Sequence, residues 1–177
     1  MARLRRHFLR LVMAALAIAC GVGQARGDAA PSGDLTFRVV PEQAEYTRAG
    51  PIEVRFQLEN HGTAPVYVNT RFKLGPPAAA KAQREVWLAA RAPSGQPLKS
   101  TYPDVPTGFP KSQSFERLAP GGKVLSERAV DLKTYFDFPA PGTYRLVATY
   151  ENVFGRELGL DAVRTKRTAE VLLTLVE

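Results

Sequence analysis

Cysteine is almost missing from this chain. Cys20 stands alone, so no intramolecular disulfide is available and apolar packing has to hold the folded part together, even in an oxidising compartment. Histidine is nearly as scarce, with only His7 and His61. A zinc site draws three or four ligands from His, Cys and carboxylates, so no metal centre is expected. His61, in the Asn60-His61-Gly62 turn, reads as a solvated turn residue rather than a catalytic base. No Gly-x-Ser-x-Gly elbow occurs, and Ser94, Ser112, Ser114 and Ser126 fall in turns or strand-like runs, which leaves serine hydrolysis without a nucleophile. Ala119-Pro120-Gly121-Gly122-Lys123 joins two strand-like runs and lacks the rest of a phosphate-binding loop. The expectation is a chain that is not an enzyme and takes no cofactor.

Long apolar runs are missing too. No segment reaches the roughly 20 apolar residues that a spanning helix needs. The shorter run at 11–19 follows Arg3, Arg5, Arg6 and Arg10 and suits the apolar region of an export signal. Two processing routes stay open. Leu16-Ala17-Ile18-Ala19-Cys20-Gly21 resembles a bacterial lipobox, in which Cys20 is lipidated and becomes the first residue. Gly23-Gln24-Ala25 and Ala25-Arg26-Gly27 instead offer small-x-small cleavage sites. The expected organisation is a signal peptide at 1–27, or 1–19 for a lipoprotein, a flexible tether at 28–33, and one folded domain at 34–177. The protein would then be exported to the periplasm or cell envelope, touching a membrane only through a lipid on Cys20, or else secreted.

Basic excess largely disappears with the leader. Residues 1–27 hold five of the 24 Lys and Arg and none of the 17 acids, so the remainder carries only about +2 of the formal +7. The sequence pI of 9.8 therefore belongs mostly to the leader, and nucleic acid is not an expected partner.

What is abundant is alternation. Leu35, Phe37 and Val39 alternate with Thr36, Arg38 and Val40, and Ile52, Val54, Phe56 and Leu58 alternate with charged or amide residues. One apolar and one polar face is the mark of a strand packed on one side. The run predicts a hairpin over 52–70, turning at Asn60-His61-Gly62. Further strands are expected at 84–92, 112–118, 123–132, 143–151 and 168–176, with 97–102 pairing back and a short helix at 78–83. Seven to nine short strands with no long helical period predict an all-β, immunoglobulin-like antiparallel β-sandwich.

Three clusters invite chemistry. Asp131 and Asp137, with Asp104 or Asp161, are too sparse for a calcium loop and read as caps of a short helical turn. Arg164, Lys166 and Arg167 beside the last strand read as edge protection. Tyr135, Phe136, Phe138, Tyr144 and Tyr150 read as core. Residues 102–110, with three prolines and one glycine, cannot form a central strand and make the longest irregular loop bearing aromatics. Tyr102, Val105 and Phe109 are its candidate partner contacts.

Leu118-Ala119-Pro120-Gly121-Gly122, Val130-Asp131-Leu132, Tyr135-Phe136-Asp137-Phe138 and Pro141-Gly142-Thr143-Tyr144, together with the strand ending at Glu59-Asn60-His61-Gly62, cover about a third of the chain. They resemble bacterial intracellular-proteinase-inhibitor domains and the N-terminal β-region of deuterolysin-type metalloendopeptidases. The resemblance implies the β-sandwich. It also implies a protease-blocking loop, for which 102–110 is the candidate; the zinc ligands of those endopeptidases lie in a catalytic domain with no counterpart here. The leading expectation is a non-catalytic, exported cell-envelope binding or accessory domain whose loops contact another protein. A secreted protease inhibitor is the alternative, and a hydrolase comes third.

Overall fold

The computed structural model describes residues 34–76, 84–103 and 108–177. The leader with Cys20, the tether, the helix expected at 78–83, Asp104 and Val105 lie outside the described residues.

The described chain is all-β, in several mostly antiparallel sheets. Its strands are β1 (Leu35–Pro41), β2 (Glu45–Thr47), β3 (Glu53–Asn60), β4 (Val66–Asn69), β5 (Val86–Arg91), β6 (Phe115–Leu118), β7 (Lys123–Leu125), β8 (Val130–Asp131), β9 (Gly142–Asn152) and β10 (Thr165–Val176). Among the described residues there is no α-helix, only single 3-10 turns at Ser112–Ser114, Leu132–Thr134 and Arg156–Leu158. One sheet runs β1-β3-β7, with β8 also on β3; a second runs β2-β10-β9-β5; β4 and β6 form a separate pair. Only the β2–β10 contact among these pairs is parallel.

Alternation decides which side of each strand is buried. Ile52, Val54, Phe56 and Leu58 are fully buried on one side of β3, and Tyr144, Leu146, Ala148 and Tyr150 on one side of β9. These residues join one continuous apolar cluster. At its centre the rings of Phe37, Phe56, Phe72 and Tyr150 meet at centroid distances of 5.6–6.1 Å. The predicted core aromatics Phe136 and Phe138 are buried with them, while Tyr135 is half-buried.

Two expectations need correction. Residues 52–70 are not a hairpin: β3 pairs with β1, β7 and β8, whereas β4 pairs with β6. Asn60 is the reason. Its side chain is fully buried and donates to the carbonyls of Ala64, Leu118 and Ala119 at 2.9–3.2 Å, while its Oδ1 accepts from Gly62. What looked like turn chemistry is a buried joint that sends the chain out of one sheet into another. The strand count is also higher than nine, with ten among the described residues. The 123–132 run splits in two at Ser126, and the three-residue β2 is too short to register as alternation.

Candidate functional site

Beside β3, the partner strand is interrupted between β7 and β8. Ser126 makes the interruption chemically affordable. Its amide donates to Phe56 O at 2.7 Å, its Oγ accepts from the Phe56 amide at 3.2 Å, and the same Oγ donates to Arg128 O at 3.0 Å. Arg55, ion-paired with Glu42, adds bonds to the carbonyls of Ser126 and Glu127. The carbonyls of Ser126, Glu127 and Arg128 and the Phe56 amide thus gain partners at the kink, and Arg128 is exposed to solvent.

Across a gap stands a second built wall, the segment after β4. Glu85, only 1 % exposed, accepts from Asn69 Nδ2, from Arg71 Nε and Nη2, and from the Lys73 amide, at 2.5–3.0 Å. Burial pushes its carboxyl above the ordinary range, against the opposing pull of the Arg71 guanidinium. Between Arg71 and Lys73, Phe72 takes φ 48°, a left-handed conformation unusual for a bulky residue, and its ring is buried in the core. This strained residue is fixed by its own ring and by the Glu85 bonds on both sides of it, a circumstance under which local strain persists.

The gap is a cleft of about 770 Å³, floored by Phe56 and Phe72. Arg71, Lys73, Arg84 and Arg128 line it, and among its described lining residues Glu127 is the only acid. Tyr135 lines it too, its phenol pushed up by burial and drawn back by Arg84. The volume lies within the range of ligand sites, about 300–1,000 Å³.

The loop read from the sequence borders this cleft through Pro103 and Gly108. Tyr102 braces its stem: the hydroxyl accepts from the Leu88 amide at 2.7 Å and donates to Leu88 O at 3.1 Å, and the ring lies 5.4 Å from Tyr135. Arg71 Nη1 holds the other end by donating to Gly108 O at 2.6 Å. Phe109 projects, 65 % exposed, and meets Phe154 edge-on at 6.0 Å. Two of the three named loop residues are therefore placed, Tyr102 turned into the protein and Phe109 out of it.

The remaining candidates are dispersed. Asp131 caps the Leu132–Thr134 turn, accepting from Lys133 and Ile52 amides at 3.0 and 3.1 Å, the capping role expected from the sequence. Asp137 and Asp161 are exposed, and among the described residues no three His, Cys, Asp or Glu side chains converge. His61 is exposed and hydrogen-bonds Thr36. The basic cluster divides among three tasks: Arg164 pairs with Glu157, Lys166 sits 5.1 Å over the Trp87 ring, and Arg167 donates to Leu35 O, tying β10 to β1.

No protein-family model matches this chain, and a search of curated proteins finds no significant match. The cleft residues Arg71, Ser126 and Arg128, and Glu85 buried behind them, carry no motif. The one available signal was Glu85 itself, a carboxylate abutting the apolar strand that begins at Val86.

Proposed function

We propose that this chain is an exported, non-catalytic binding domain of the cell envelope, an immunoglobulin-like β-sandwich that contacts another protein through Phe109 and the cleft beside it. The observation that carries the reading is an outward aromatic beside tethered loop ends: Phe109 is exposed, Arg71 holds the adjoining Gly108 carbonyl, and Tyr102 is bonded to Leu88. An exposed aromatic that loses little freedom on docking is the usual energetic centre of a protein interface. The sandwich reading is supported by buried residues from both four-stranded sheets sharing one cluster. It is supported as well by Tyr144, whose hydroxyl donates to Ala140 O and accepts from Ala140 N, a tyrosine-corner arrangement. Export rests on the arginine-led apolar leader, and anchoring on lipidation of Cys20.

The tethered ends of the loop and its three prolines also support the second reading, a protease inhibitor, because inhibitory loops lose little freedom on binding. One experiment addresses both. A photo-crosslinking amino acid at position 109, introduced in the producing cells, is expected to trap one discrete envelope protein, while the same group at the exposed Leu172 traps none. Equal or absent adducts at both positions would overturn the proposal. An adduct with a protease, together with inhibition of that protease by the purified chain, would replace the accessory role by the inhibitor role.

A further inference from the structure

The cleft at Arg128 has a neighbour. On the other side of Tyr135 lies a second opening of about 940 Å³, lined by Arg48, Lys99 and Lys133, with Asp137 as the only acid among its described lining residues. Tyr135 lines both. The two therefore form adjoining stretches of surface whose described lining residues include seven cations, one of them Arg71 already paired with the buried Glu85, against two acids, although residues 28–177 carry a net charge of only about +2. Positive charge is thus concentrated here rather than spread evenly, which attracts and orients an anionic partner.

The cations are mounted, not merely present. Lys133 sits on the turn capped by Asp131 and donates through Nζ to Arg48 O at 2.5 Å. Lys99 is set beside it because Ser100 bridges Phe136 and the Thr101 amide donates to Tyr135 O at 2.8 Å. Arg128 is held by the Ser126 kink and Lys73 by the backbone bond to Glu85.

We propose that these two clefts form one basic track that takes an extended acidic polypeptide segment of the partner, its carboxylates on the rim cations and its apolar side chains against Leu74, Pro103, Tyr135 and Pro139. The proposal rests on the binding-domain reading above. Two features select this occupant. Two adjoining openings, each already the size of a small-ligand site, exceed what a free oxyanion would fill. Rings and prolines interleaved with the cations fit alternating acidic and apolar side chains, with Phe109 exposed beside one end.

The test is fluorescence anisotropy with the full chain and a labelled eight-residue peptide of alternating Asp and Leu, compared with its Asn/Leu counterpart. The acidic peptide should bind at least about tenfold tighter, and less tightly as salt rises. Lys73→Gln with Arg128→Gln, and separately Lys99→Gln with Lys133→Gln, should each weaken it by about tenfold at an unchanged unfolding midpoint. Arg38→Gln with Arg117→Gln, which removes the same charge elsewhere, should change affinity by less than about twofold. Equal binding of the neutral peptide, or sensitivity to only one cleft's pair, would overturn the track. So would displacement of the peptide by inorganic phosphate or a short single-stranded DNA at the peptide's own concentration. Failure of the track with a retained adduct at position 109 leaves the binding domain standing; loss of that adduct removes the reading beneath both.

Discussion

Strands β9 and β10 run side by side through eleven consecutive residue pairs, whereas β7 and β8 reach β3 through three and two. The first region is a continuous backbone ladder with alternation interrupted at the buried Thr149, and Tyr144, Leu146, Ala148 and Tyr150 on its inward face are apolar or aromatic. The second is broken, and what keeps it folded is side-chain polarity placed under the surface: Ser126 beneath one wall of the cleft and Glu85 beneath the other. The contrast teaches that regularity builds the scaffold while its local interruption, repaired by buried polar groups, presents charge to solvent.

That contrast can be broken most forcefully at Glu85. Glu85→Ala removes the carboxylate that pairs with the Arg71 guanidinium, which is 13 % exposed, and leaves the Asn69 side chain and the Lys73 amide without this acceptor. The expected loss is about 3–5 kcal/mol, read as a lowered denaturant midpoint, with amide exchange accelerating first at 69–73 and last in β9. Ser126→Ala is expected to cost less, about 1–3 kcal/mol, because it orphans the Phe56 amide and the Arg128 carbonyl without removing a charge. Substituting glycine instead should not spare the protein, and an unchanged midpoint in the alanine variant would show that the kink holds without the hydroxyl.

The smallest effect sharpens the comparison through pH. Burial raises the folded-state pKa of Glu85 above its unfolded value, so the folded protein keeps this proton longer than the unfolded chain does. The group's contribution to stability is therefore fully present below the unfolded pKa and lost as pH rises through the raised one. Glu85→Gln, though less stable throughout, should flatten that decline in a series of melting curves from the acid side to neutrality. A decline as steep as in the native chain would assign it to other groups.

The legible and illegible parts of the sequence divide along the same line. The inner faces of β1, β3 and β9 were readable because period-two alternation is a local signal that burial simply confirms residue by residue. Asp131 as a cap was readable for the same reason, its partner lying two residues away. The hairpin over 52–70 failed because Asn60 spends its side chain on residues up to 59 positions distant, which no local pattern reports. The cleft stayed hidden likewise: Ser126 bonds across 70 residues to Phe56, and Glu85 collects donors 12–16 residues upstream. Exposure of Phe109 followed from composition, since a proline-rich loop cannot enter a ladder, whereas the inward turn of Tyr102 depended on an opening beside β5 that only the folded chain provides.

Asn60 also bears on how this molecule reaches its fold. Its amide nitrogen finds Leu118 and Ala119 only after a loop of almost 60 residues has closed; until then the nearby Ala64 carbonyl and Gly62 amide can serve one N–H and the Oδ1, while the other N–H waits for its partner. A half-assembled state that buried β3 without the 118–122 turn would carry that unmet demand, so it is disfavoured against both the open chain and the finished one. One buried polar side chain thereby ties the burial of β3 to the closure of a distant turn.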